Sequence, residues 1–255
     1  MEIINLIIFF TLGSIMGSFL HVVATRLYMK ESIITPRSHC HFCSHELKWY
    51  ELIPILSYIF LGGKCKKCKK KLPYSYVIIE VVTGILYAVC YHVFGYSYEL
   101  IVALIFVSGL VTVIISDIEY MVILDEVLIT MIILIIITYL FSLGFHDTFE
   151  KIGYGALSFL TMYTIKIIGD KMFKKESLGG GDIKLLFVFG LVLGYSMSIC
   201  TIFLATFIAF PIALIILFSS KDNIIPFGPF LCMAAILLLI WGINFNDIIT
   251  FLIEI

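Results

Sequence analysis

Two carboxylates and four thiols carry most of the chemistry legible in this sequence. Asp117 directly follows the apolar run 111–116, and Asp182 closes Gly179-Gly180-Gly181-Asp182, two residues before Lys184. The pair is 65 positions apart, yet each member sits where an apolar stretch meets a polar segment. An ionisable residue in such a place is costly and is a functional candidate by default. Two carboxyls held close together cannot both ionise comfortably, so they share a proton. The ionised member then draws a proton from water while the protonated member polarises a carbonyl, which is the chemistry of peptide hydrolysis. Glu119, Asp125 and Glu126 follow Asp117 in the same short segment. The three glycines would let an extended substrate backbone approach Asp182. A plainer account stays open: Asp182 as a helix cap after a flexible loop, and Asp117 as an interfacial carboxylate that reaches water.

Cys40-His41-Phe42-Cys43 and Cys65-Lys66-Lys67-Cys68 are two CxxC pairs separated by 21 residues. Each pair aims two thiolates at one point, and two pairs complete a tetrahedral zinc site with no position left for water. The expected role is structural. Lys64, Lys66, Lys67 and Lys69 favour the thiolate form, and a segment of about 48 residues is too small to fold on an apolar core alone. A redox pair and four unrelated thiols are the other readings. Cys90, Cys200 and Cys232 fall in apolar stretches and read as packing residues.

The elements that must position these groups are membrane helices. Of 255 residues, 61% are hydrophobic and 14% charged, and the mean hydropathy is +1.10. A globular domain carries about 25% charged residues. A net charge of −1 also leaves no basic excess for a nucleic-acid partner. Stretches near 3–25, 76–94, 98–116, 127–145, 152–168, 184–199, 200–218 and 229–245 approach the roughly 20 residues a span needs. The sixth is short and interrupted by Gly190 and Gly194, and merging it with the seventh would leave seven spans. The expected fold is an all-α polytopic membrane protein of about eight transmembrane helices. Residues 1–27 form a retained first anchor, 28–75 a small zinc-binding cytoplasmic loop domain, and 76–255 the membrane core. With eight spans, 16 of the 17 basic residues fall on one side, all but Lys151. That side is expected to be cytoplasmic, with both termini outside.

In order along the chain stand Gly17-Ser18-Phe19-Leu20-His21-Val22-Val23 with Arg26-Leu27, then Pro36, Ser38 and the first CxxC, then Trp49-Tyr50-Glu51-Leu52-Ile53-Pro54-Ile55-Leu56-Ser57-Tyr58. Gly63 and the second CxxC follow, with Tyr76, Glu80, Asp117-Ile118-Glu119 through Asp125, Gly179 to Lys184, and Pro226-Phe227-Gly228-Pro229-Phe230. Together they resemble the type IV prepilin peptidase family, membrane aspartic peptidases of the GxGD type. The resemblance implies that Asp117 and Asp182 are catalytic, with Glu119, Asp125, Gly179, Gly180, Gly181 and Lys184 in support. It implies cleavage of the basic leader of prepilins and pseudopilins at the cytoplasmic face of a bacterial inner membrane, in service of type IV pili and protein secretion. Bifunctional members then methylate the new N-terminus with S-adenosylmethionine. His21 stands where the family usually has Asn, Leu124 where it has Pro, and Lys69 where Gly often follows the second CxxC. A carboxylate-based transporter and a non-enzymatic zinc-dependent assembly protein are the competing classes; the first predicts carboxylates near the bilayer midplane and paired repeats.

Overall fold

Without water in the bilayer core, every backbone polar group must be satisfied within its own segment, so a chain this apolar folds as helices. The computed structural model describes residues 1–40, 42–174, 179–219 and 226–242, the side chains of 173 and 216–219 excepted. Among them there is no β-strand, only two isolated bridges. The helices are α1 (Glu2–Tyr28), α2 (Leu56–Phe60), α3 (Ser75–Phe94), α4 (Tyr98–Tyr120), α5 (Asp125–Ser142), α6 (Phe145–Phe173), α7 (Gly180–Leu193), α8 (Tyr195–Ser219) and α9 (Gly228–Trp241). Six of them (α1, α3, α4, α5, α6 and α8) are long and apolar enough to cross a membrane. The eight expected spans correspond to these six and to α7 and α9. At 14 residues each, those two reach about 21 Å, short of the roughly 30 Å of hydrocarbon. The border between the sixth and seventh stretches lies at Gly194 rather than near 199. Gly194 has φ +84, a conformation that stops a helix and that glycine adopts freely.

The chain forms two compact units, 1–100 and 101–255. In the first, α1 packs along α3. A methyl group on Gly13 would lie 2.6 Å from the Thr83 carbonyl oxygen, and one on Gly17 3.0 Å from that of Ile79. Small residues at these points let the two backbones approach, which is how apolar helices associate in lipid. Asn5 Nδ2 donates to Tyr91 Oη at 2.6 Å, and Phe9 stacks on Tyr91 at 4.6 Å between centroids. Between these helices the chain builds a small lobe around the four cysteines.

In the second unit the most buried surfaces belong to α4, α7 and α9. Phe106, Leu110 and Val113 of α4, Leu185, Leu186, Phe189 and Leu191 of α7, and Leu231 and Ala235 of α9 are fully buried. Phe106 and Phe189 meet edge to face at 5.9 Å. The buried hydroxyls of Ser158 and Ser198, 2.6 Å apart, join α6 to α8. The short α7 and α9 therefore sit inside the unit, with their first turns at one place.

Candidate functional site

Asp117 occupies the last turn of α4, and Asp182 the first turn of α7. Their relative exposures are only 6% and 9%. The two carboxyls lie close enough to interact electrostatically. A glycine backbone stands against each carboxyl: Gly228 beside Asp117 and Gly179 beside Asp182. Two helices, α7 and α9, thus begin at the carboxyl pair. Their unpaired amides and partial positive charge favour an anion there. This part of the molecule brings two buried acids near one another and can stabilise negative charge beside them.

The neighbouring candidates are placed differently. Glu119, Asp125 and Glu126 are exposed. Lys184 Nζ donates to both Asp125 oxygens at 2.7 Å, with each side chain about half exposed. That pair ties the start of α5 to the second turn of α7. The three glycines before Asp182 are not equivalent. A Cβ on Gly181 would strike Ile123 Cβ at 2.8 Å, and one on Gly179 would sit 3.3 Å from Asp182 Oδ2. Of the three, only Gly180 faces open space among the described residues, with none of their atoms within 4 Å of such a Cβ. Close packing explains Gly181, and open approach describes Gly180 alone.

In the loop, the sulfur atoms of Cys40, Cys43, Cys65 and Cys68 all lie within 4.8 Å of one another. Cys40 to Cys68 and Cys43 to Cys65 are each 3.9 Å. Four sulfurs 2.3 Å from a tetrahedral zinc are about 3.8 Å apart, so the donor set fits zinc. The two halves are built alike. The Cys40 N–H donates to His45 and receives the Ser44 amide on its carbonyl, just as Cys65 does with Lys70 and Lys69. The amides of Cys68 and then Lys67 bring the Cys65 thiol down to about 6, against the effect of burial. Cys43 is pushed up to about 11: its largest influence, the His45 amide, lowers it, but burial and the other three thiols outweigh that. A bound cation requires its sulfur ligands as thiolates. Cys90 and Cys232 are buried and Cys200 is partly so. His41 lies outside the described residues.

Residues 104–214 match the type IV leader peptidase family, and residues 11–94 the bacterial peptidase A24 N-terminal domain. A prepilin leader peptidase/N-methyltransferase of Bacillus subtilis (strain 168) is 36% identical over 250 residues, 97% of this chain and 97% of that protein. The chain belongs to the type IV leader peptidase family. A protein of the same name from Myxococcus xanthus (strain DK1622) is 36% identical over 181 residues, covering 71% of this chain but 54% of its own length. One from Pseudomonas aeruginosa is 29% identical over 259 residues, covering 91% of this chain and 88% of its own length. No solved structure matches the chain.

Two features of this leader peptidase chain escape sequence reasoning. Gly228 matters because a Cβ there would lie 2.5 Å from Asp117 Oδ2 and 3.4 Å from Ile123 Cδ1. The run Pro226–Phe230 signalled its presence but not its neighbour, 111 positions earlier. Cys232, fully buried one turn farther along α9, interacts electrostatically with both Asp117 and Asp182. The departure at Lys69 also has a physical meaning. Its φ is +59, the left-handed conformation that costs a non-glycine residue roughly 1–2 kcal/mol.

Proposed function

We propose that this chain is a membrane aspartic endopeptidase that removes the basic leader of prepilins and pseudopilins, with Asp117 and Asp182 as its catalytic pair. The observation that carries this reading is the meeting of two buried carboxyls where α4 ends and α7 and α9 begin. One carboxylate takes a proton from water, whose oxygen attacks the scissile carbonyl carbon. The other, a carboxylic acid, gives its proton to the carbonyl oxygen. On collapse one hydroxyl of the resulting gem-diol returns its proton to the pair as the carbonyl re-forms and the C–N bond breaks, the leaving amine takes a proton from the pair, and the pair is left with the one proton it began with. The amides at the starts of α7 and α9 stabilise the charge that develops. Asp125, locked to Lys184, orients the start of α5, while exposed Glu119 and Glu126 offer negative charge to a basic leader.

Residues 1–27 anchor the chain, 28–75 form the zinc lobe, and 76–255 hold the peptidase core. Zinc on Cys40, Cys43, Cys65 and Cys68 supplies folding energy to the lobe. The basic split of 16 to 1 supports a bacterial inner-membrane protein whose lobe and carboxyls face the cytoplasm. The names of the relatives support a second activity, methylation of the new N-terminus from S-adenosylmethionine. The described residues do not single out a seat for that donor, and the hydrolysis needs none.

The deciding experiment is to incubate purified chain in lipid with a candidate prepilin and to mass-analyse the product N-terminus. Loss of the leader is expected, and added mass of one methyl group would mark the second activity. An intact leader under conditions where the chain is folded and zinc-loaded would overturn the reading.

A further inference from the structure

The lobe exposes an apolar strip that the peptidase reading does not use. Between the membrane-length helices α1 and α3, the side chains of Trp49, Leu52, Ile53, Leu56, Ile59 and Phe60 are all exposed. Trp49, Ile59 and Phe60 reach 76%, 63% and 83%. Six large apolar side chains within twelve residues form a patch that a water-facing domain avoids unless something covers it.

Three observations say what covers it. The strip is tethered at both ends by apolar helices of 27 and 20 residues, α1 and α3, so it stays beside the membrane face at which both end. Its middle is pinned at a definite depth: buried Glu80, on α3, accepts the Ile55 N–H at 2.7 Å. Glu80 lies five residues into α3, about 7–8 Å along the axis, within the 5–10 Å to which interfacial helices bury their apolar faces. Ile55 itself has φ 62 and ψ −55, and the Leu56 N–H closes on the Pro54 carbonyl at 2.6 Å. This is a positive-φ γ-turn, rare and strained in a β-branched residue. It persists because the carboxylate holds it, and its flanks Ile53 and Leu56 are exposed.

The third observation is charge. Lys64, Lys66, Lys67, Lys69, Lys70 and Lys71 are all exposed within eight residues. They adjoin the strip: Lys66 Nζ donates to Tyr50 Oη at 2.8 Å and lies 4.7 Å from the Tyr50 ring. The Tyr58 hydroxyl donates to the Leu72 carbonyl at 3.4 Å. An aromatic and aliphatic strip bordered by lysines has the composition of an element that lies in an anionic lipid interface.

We propose that residues 49–60 form an interfacial anchor seated in the headgroup boundary of the bilayer that α1 and α3 cross, with the lysines of 64–71 binding anionic lipid headgroups beside it. The proposal stands whether or not the chain cuts leaders. Only two tryptophans exist, Trp49 and Trp241, so Trp241→Phe leaves Trp49 as the sole reporter. The full zinc-loaded chain is placed in phosphatidylcholine bilayers with and without phosphatidylglycerol, using brominated acyl chains as the lipid quencher and acrylamide as the aqueous one. Trp49 is expected to be quenched several-fold more by brominated lipid than by acrylamide, and more so with phosphatidylglycerol. The combined Lys66→Gln, Lys67→Gln, Lys69→Gln and Lys70→Gln variant, retaining its metal, should lose that lipid dependence. A second reporter, Phe60→Trp in a chain lacking both native tryptophans, should behave as Trp49 does. Quenching by acrylamide alone would overturn the proposal. Protection from both quenchers would also overturn it, by showing that protein covers the strip, and lipid quenching indifferent to phosphatidylglycerol would remove the role of the lysines.

Discussion

The cysteine lobe and the carboxyl pair achieve order by opposite means. Each half of the lobe is closed within six residues, by the Cys40–His45 and Cys65–Lys70 hydrogen bonds and their inner turns. The carboxyl pair is instead assembled from the end of α4 and the starts of α7 and α9, segments 46 to 111 positions apart in the chain. Local closure makes a site that a metal can complete. Assembly from helix ends makes one that depends on how closely three backbones approach, and glycines set that approach.

The contrast predicts distinct failures. Asp117→Asn and Asp182→Asn keep shape but remove the titrating group, so each should abolish cleavage while the protein inserts and accumulates normally. Cys40→Ser or Cys68→Ser should do the reverse, lowering zinc content and protein level while surviving protein retains some cleavage. Metal analysis beside a cleavage assay separates the two. A fully folded and fully active metal-free preparation would remove the structural role of zinc.

Gly228→Ala comes next. Its methyl would meet Asp117 Oδ2 at 2.5 Å, and displacing a reacting group by about an ångström costs on the order of 10²-fold in rate. Gly180→Ala, with open space around it among the described residues, should leave cleavage nearly unchanged. Equal losses in both would mean that the glycines serve flexibility rather than close approach. Smaller still is Lys184→Met, which breaks a half-exposed ion pair worth up to about 1 kcal/mol. It should slow cleavage only modestly, with Asp125→Asn similarly mild. The smallest effect is a gain: Lys69→Gly relieves a positive φ and should raise the thermal stability of the zinc-loaded lobe by roughly 1 kcal/mol.

What the sequence revealed follows the same division. The spans are legible because hydrocarbon demands length and apolarity together, and the CxxC pairs because their geometry is local. The break at Gly194 was visible as a glycine, but only its backbone conformation shows that α7 ends there. The role of Gly228 was hidden because its partner, Asp117, lies far away in the chain. The strip at 49–60 was hidden for another reason: it is too short and too interrupted by polar residues to register as a span, and only its exposure distinguishes it.

The central claim is that Asp117 and Asp182 act as one unit, and a comparison of single and double variants tests it most directly. Cleavage of one prepilin is measured for Asp117→Asn, Asp182→Asn, the double variant and Asp125→Asn, each confirmed as inserted and zinc-loaded. Groups that work together lose nearly everything at the first substitution, so the double variant should be little worse than either single one, and Asp125→Asn should remain active. Appreciable cleavage by Asp117→Asn beside a dead, well-folded Asp125→Asn chain would contradict the account and move the catalytic role within that segment.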